Sequence, residues 1–150
     1  TTRGAAMPMS IPMSPAICAL LCFTGLTIAL ALGYVGYRIL LVLSFKTAAN
    51  SWTREAETWQ DPPIITRFHH ALLNCLEYLP LFAAVVFAAY ATGQLAVVDG
   101  LAMVYLALRL AQSGVHLIST APAFVFVRAN LWVLQTALLV YWLLKLCGKI

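Results

Sequence analysis

Apolar residues run along this chain in four long blocks separated by short polar interruptions. The first block extends from about Pro15 to Phe45 and carries no charge before Arg38. A bilayer core takes about 20 helical residues to cross, so the block is long enough to span with Arg38 near one end. The stretch "KTAANSWTREAETWQDPP" (46–63) holds most of the acids and closes on Pro-Pro, which predicts an aqueous loop. A second helix is predicted from about Ile64 to Ala91. "TGQLAVVDG" then turns the chain into a third span, about Leu95 to Ile118. "STAPA" connects it to a fourth, about Phe124 to Leu146, which ends in "KLCGKI". Short connections favour antiparallel neighbours, so the pattern predicts an all-α integral membrane protein, a bundle of four transmembrane helices. Residues 1–14 have no helical period, and Pro8, Pro12 and Pro15 block a continuous helix. The expected organisation is an extended tail, 1–14, followed by a four-helix membrane domain, 15–150.

Composition agrees with this. The chain is 63% hydrophobic and only 9% charged, with a mean hydropathy of +0.90, where a soluble domain carries about 25% charged residues. The +4 formal charge comes from nine basic residues scattered over several spans, so no basic patch exists and nucleic acid is not an expected partner. The four cysteines lie inside apolar runs without a C-x-x-C pair, which reads as buried thiols and not as a disulfide or zinc framework. The sequence opens on Thr1 and has no acid before Glu55; Arg, Ser, Thr, Ala and Pro in the tail suit the end of an organellar transit peptide. Fixing such a tail costs about 1–2 kcal/mol per residue in backbone entropy. It is therefore expected to lie along a partner chain, with its Met and Ile side chains in apolar grooves.

The stretch "RFHHALLNCLEYLPLF" (67–82) sets a problem, because its polar residues fall inside a membrane span. A charged group at mid-bilayer costs about 2.5–3.5 kcal/mol on insertion scales. Arg67, His70, Asn74 and Glu77 are spaced 3, 4 and 3, so they share one stripe of the helix. The third span repeats the pattern with Arg109, Gln112 or Ser113, and His116, and the fourth with Arg128, Trp132 and Gln135. These stripes either satisfy one another across the bundle or line a cleft for a polar ligand. Asn74 and Glu77 are expected to face the bundle interior or a subunit interface, with Glu77 within pairing reach of Arg109 or another arginine. Arg38, Arg67, Arg109 and Arg128 outnumber the one deep carboxylate, Glu77, and surplus guanidinium groups favour an anionic ligand.

"HALLNCLEYLPLF" (70–82) resembles the second-helix signature R-A-x-x-N-x-x-E-x-x-P-x-F of the membrane-associated proteins in eicosanoid and glutathione metabolism, the MAPEG family. Asn74, Glu77, Pro80 and Phe82 stand in place, and the similarity in layout covers about residues 15–146. The resemblance implies a homotrimer in the lipid bilayer that binds glutathione between neighbouring subunits. It implies transferase or peroxidase activity on lipophilic small molecules. Asn74 and Glu77 would hold the tripeptide backbone, Arg38 and Arg109 its carboxylates, and Arg128 would stabilise the thiolate. Lowering a thiol's pKa from about 8.5 with a nearby cation creates the nucleophile at neutral pH. Three positions depart from the family pattern: His70 stands for an Arg, while His116 and Trp132 stand for Tyr. His70 and His116 remain in the expected glutathione shell, and Arg67 is placed one turn earlier to substitute for the missing Arg.

Three lone histidines could ligate haem or another metal, but no E-x-x-H pair exists and His69 sits on another face; structural hydrogen bonding is the simpler reading, with no metal expected. Tyr34, Tyr37, Trp52, Trp59, Tyr141 and Trp142 cluster near span ends and read as an interfacial belt. Gly25 and Gly33, eight apart, permit close helix contact. Two functions stand open. One is the glutathione-dependent enzyme. The other is a non-catalytic accessory subunit of a larger organellar complex, favoured by the substitutions at His70, His116 and Trp132. The expected location is the membrane of an organelle: mitochondrion, plastid or endoplasmic reticulum.

Overall fold

The structure, a computed structural model, describes residues 13–52 and 60–148. Among them stand four helices, α1 (Pro15–Leu43), α2 (Pro63–Ala91), α3 (Leu95–Ile118) and α4 (Pro122–Leu146). All four are long and apolar enough to cross a bilayer, and the protein is a four-helix integral membrane bundle. The residues 1–12 of the expected tail, the acids Glu55 and Glu57, and Trp59 lie outside the described residues.

Three helices begin on a proline, Pro15, Pro63 and Pro122. Its fixed φ suits the first helical position, and its missing N–H would have had no partner there. This brings the starts of α2 and α4 slightly ahead of the sequence expectation. At its other end α1 stops two residues before Phe45. Phe45 takes a left-handed φ of 55° while Lys46 N–H donates back to the Leu41 carbonyl at 3.0 Å. That is a helix-ending turn in which a bulky residue stands where glycine is usual.

The start of α1 is tied to α3. Ser14 Oγ accepts from the Ile17 N–H at 3.3 Å, and Asp99 Oδ1 accepts from the Ala16 N–H at 2.9 Å. Asp99 thus places a carboxylate on the positive end of α1, 83 residues away in sequence. Asp99→Ala is expected to cost about 1 kcal/mol. Thermal unfolding in detergent should show the lowered midpoint, and Asp99→Asn, which keeps an acceptor, should recover part of it.

The helices meet in an aromatic knot to which each contributes one ring: Phe23, Phe82, Tyr105 and Trp142, all fully buried. The Phe82 and Tyr105 rings stack at 4.4 Å, and Trp142 sits 5.7 Å from both. Such pairs contribute about 0.5–1.5 kcal/mol each beyond their buried area. Trp142 and the buried Tyr34 are therefore core residues and not belt residues. Gly33 brings α1 onto α2 so closely that an added Cβ would lie 2.6 Å from the Phe68 ring, whereas Gly25 faces open space. Cys75 is buried, but Cys22 and Cys147 are exposed, so the cysteines do not form the uniformly buried set expected from their apolar surroundings.

Candidate functional site

The polar stripe of α2 runs beside its buried line. Ala71, Cys75, Tyr78, Phe82, Val85 and Ala89 face the bundle. His70, Asn74 and Glu77 each precede a member of that line by one residue, which rotates them by about 100°. Asn74 is half-buried as a result, while His70 and Glu77 are exposed.

Arg109, the first member of the α3 stripe, is fully buried. Its Nη1 donates to Asn74 Oδ1 and, at 3.5 Å, to the Asn74 carbonyl. The guanidinium lies over the Tyr78 ring at 4.6 Å and the Phe23 ring at 5.1 Å. Glu77 does not pair with it. Tyr78, one residue on, occupies the inward position, so two ring faces and an amide stand where a carboxylate was expected. Arg109 Nε and Nη2 are buried without a hydrogen-bond partner among the described residues. They are two charged donors without a close acceptor among the described residues, with the buried Tyr105 hydroxyl as their polar neighbour.

One turn and more along the same α3 face, His116 Nδ1 lies 3.2 Å from Arg128 Nη1. A guanidinium can only donate, so the imidazole nitrogen accepts and the ring is the neutral Nε2–H tautomer. Arg128 is half-buried and keeps its remaining donors free of partners among the described residues. Between the two arginines, Gln112 Nε2 donates to the Arg128 carbonyl at 3.5 Å and Gln135 Nε2 to Gln112 Oε1 at 2.8 Å. Trp132, one turn beyond Arg128, meets the Tyr78 ring edge-on at 6.2 Å, and the Tyr78 hydroxyl lies 2.7 Å from Thr136 Oγ1. Antiparallel topology places Asn74, Arg109, His116 and Arg128 in the half of the bundle nearer the start of α2, with Tyr78, Gln135 and Thr136 near its middle.

The other two cations are engaged elsewhere. Arg38 Nη2 and Asp61 Oδ2, at 2.5 Å, form the one ion pair among the described residues. The Arg38 guanidinium lies between the Tyr34 ring at 4.4 Å and Trp52 at 4.8 Å, and the Trp52 Nε1–H donates to Asp61 Oδ1 at 3.2 Å. His69 stacks on the far side of this cluster against Tyr34, at 4.3 Å and 1°. Arg67 Nη1 donates to the carbonyls of Leu117 and Ile118 at 2.9 and 2.7 Å. It satisfies the open end of α3 and does not take the place of the Arg that His70 replaces. Sequence reasoning missed Asp61 and Trp52 as partners of Arg38. The Asp before Pro-Pro at the return of the loop was the available signal.

Three recesses surround the stripes. A polar one of about 450 Å³ opens between the start of α2 and the end of α3, lined by Asp61, Thr66, Arg67, His70, Ser119 and Thr120 among others. Apolar grooves of about 500 and 450 Å³ flank α4, against α3 and α2 respectively. The second has Tyr78 and Thr136 in its wall, so an apolar trough leads to the same tyrosine that covers Arg109.

No curated protein and no solved structure matches the chain. Residues 14–148, nearly its whole length, match the MAPEG family. The asparagine that holds a buried arginine and the glutamate one turn later are the family's second-helix signature in three dimensions, and the chain belongs to the MAPEG family.

Proposed function

We propose that the protein is a glutathione-dependent transferase or peroxidase acting on lipophilic electrophiles that arrive through the bilayer. The observation that carries this is Arg128: a half-buried guanidinium with donors to spare, its Nη1 held by a neutral imidazole. Glutathione's thiol would lie against it. The S–H bond breaks, the proton passes to water at the polar mouth, and the thiolate remains opposite the guanidinium. Its lone pair then attacks an electrophilic carbon of a substrate lying in an apolar groove beside α4. The leaving group departs with the bonding electrons, or an opened epoxide oxygen takes up a proton.

Arg109's two unpaired donors suit a glutathione carboxylate once the Tyr78 and Phe23 rings that enclose them give way, and Asn74 and Glu77 suit the tripeptide's amide and ammonium groups. His70 and His116 complete the shell. Arg38, the other residue suited to a carboxylate, would first have to leave Asp61. A trimer is part of this reading on energetic grounds, because Glu77 is exposed near the middle of a 29-residue span. A carboxylate facing hydrocarbon is costly, and a neighbouring copy or its bound glutathione would shield it. The expected result is a thiolate ultraviolet band when glutathione is titrated into the protein in lipid nanodiscs, with one band equivalent or fewer per chain. No band at neutral pH would sink the enzyme reading.

One observation favours a second reading, that of an accessory subunit in an organellar membrane complex. Arg38 is already closed by an internal carboxylate, and three shell positions have changed chemistry. Native extraction distinguishes the two: an isolated trimer supports the enzyme, and a single copy among unrelated subunits supports the accessory role. In the accessory case, removing the tail 1–14 should weaken assembly without unfolding the bundle.

A further inference from the structure

The first half of α4 carries the proposed thiol-activating arginine, yet packing does not hold it. No residue from Pro122 to Leu134 is buried, and the buried residues of α4 are Gln135, Leu139 and Trp142. Apart from the edge-on contact of the exposed Trp132 with Tyr78, what joins this half to its neighbours is polar. Gln135, fully buried, donates through one amide nitrogen to Gln112 Oε1 at 2.8 Å, to the Leu131 carbonyl at 3.0 Å and to the Leu108 carbonyl at 3.4 Å. Gln112, itself buried, passes the connection on to the backbone carbonyl of Arg128. Nothing else in the site needs two glutamines there, and amides in a hydrocarbon-facing bundle are retained at a cost unless each finds partners.

We propose that Gln112 and Gln135 are positioning residues, a buried amide ladder that fixes the start of α4 against α3 and so sets where the Arg128 guanidinium stands. The bond from Gln112 fixes the main chain at Arg128, and the bond to His116 Nδ1 then fixes the side chain. Two anchors on one residue, one at each end of its side chain, define the guanidinium's position where apolar contacts do not. This role rests on the reading of Arg128 as the thiolate's partner.

The test uses the full chain in nanodiscs, with Gln135→Met and Gln112→Met, which keep volume and remove the amide. Gln112→Met removes both ladder bonds but leaves Gln135 its two carbonyl partners, whereas Gln135→Met leaves the bond from Gln112 to the Arg128 carbonyl. Glutathione thiolate is followed by ultraviolet absorbance across pH, and S-methylglutathione, which has no thiol to ionise, reports binding alone. The expected result is a rise of about one pH unit in the half-point of thiolate formation, which from a half-point near 6.5 means about threefold less thiolate at neutral pH. S-methylglutathione binding should be unchanged, and amide exchange over residues 122–134 should be faster. A merely structural bond would lower the thermal midpoint and leave the titration in place, which overturns the proposal. Arg128→Gln run in parallel separates the two failures. If it leaves the titration unmoved, the thiolate reading falls. Exchange then decides the ladder alone: faster exchange in Gln135→Met supports it, and unchanged exchange overturns it.

Discussion

Arg128→Gln is expected to remove the glutathione thiolate at neutral pH while leaving the bundle folded. A guanidinium within contact distance lowers a thiol's pKa by about 1–3 units, so its loss returns the thiol toward its free value near 8.5. At the middle of that range thiolate at neutrality falls about 25-fold, from mostly ionised to a few per cent, and turnover with a lipophilic electrophile should fall in proportion. Glutamine removes the charge and, being shorter, also gives up the bond to His116 Nδ1, so Arg128→Lys is the comparison that keeps the charge. Folding should be spared because Arg128 is only half-buried and its side chain is held by His116, while the bond from the buried Gln112 goes to its backbone carbonyl and survives the substitution. Arg128→Lys keeps the charge without the planar fork, and an intermediate loss is expected from it. The measurements are thiolate absorbance on glutathione addition and the thermal midpoint of each variant. An Arg128→Gln protein with wild-type thiolate yield would remove Arg128 from the chemistry altogether.

The spans were legible because hydrophobic length alone determines them, and the three prolines and the left-handed Phe45 moved the ends by no more than two residues. The polar stripes were legible as well, since helical spacing places His70, Asn74 and Glu77 on one line. What spacing does not give is the rotation of that line toward a neighbour. The stripe lies one residue off the buried line of Ala71, Cys75 and Tyr78, which is enough to turn Glu77 outward and leave Asn74 to meet Arg109. Pairings across helices depend on a register that no single segment encodes. Arg38 with Asp61 and Gln112 with Gln135 are both of this kind, each 23 residues apart. Aromatic position misled for a related reason. Trp142 lies four residues from the end of α4, where a belt residue belongs, but its side chain turns in to close the knot with Phe82 and Tyr105. The second-helix motif pointed to the family because its residues are a local cluster. The partners of that cluster on α3 and α4 needed the fold.

Asn74→Leu is expected to be the most damaging single change to stability. Arg109 is fully enclosed and has no carboxylate; its charge is met by one amide oxygen, one carbonyl and the faces of Tyr78 and Phe23. Cation–π contacts of this kind contribute about 2 kcal/mol when desolvated, which does not replace a charged hydrogen bond in the same dry site. Removing the amide leaves a third guanidinium nitrogen short of its best acceptor, beside the two that already lack one. Stranding a buried charge in this way costs about 3–5 kcal/mol. The partner change reverses the sign. With Arg109→Leu in the same chain, no charge remains to be stranded, and exchanging a buried polar pair for apolar residues of similar size is often neutral or stabilising. The double variant should therefore be more stable than Asn74→Leu alone by about 2 kcal/mol or more, a coupling well above the roughly 0.5 kcal/mol scatter of independent sites. Unfolding of the four proteins in mixed micelles measures the cycle. If Asn74→Leu costs the same with and without Arg109, the asparagine is not what makes the buried arginine tolerable. The rings of Tyr78 and Phe23 would then have to account for it, which Tyr78→Leu and Phe23→Leu in the same background would show directly.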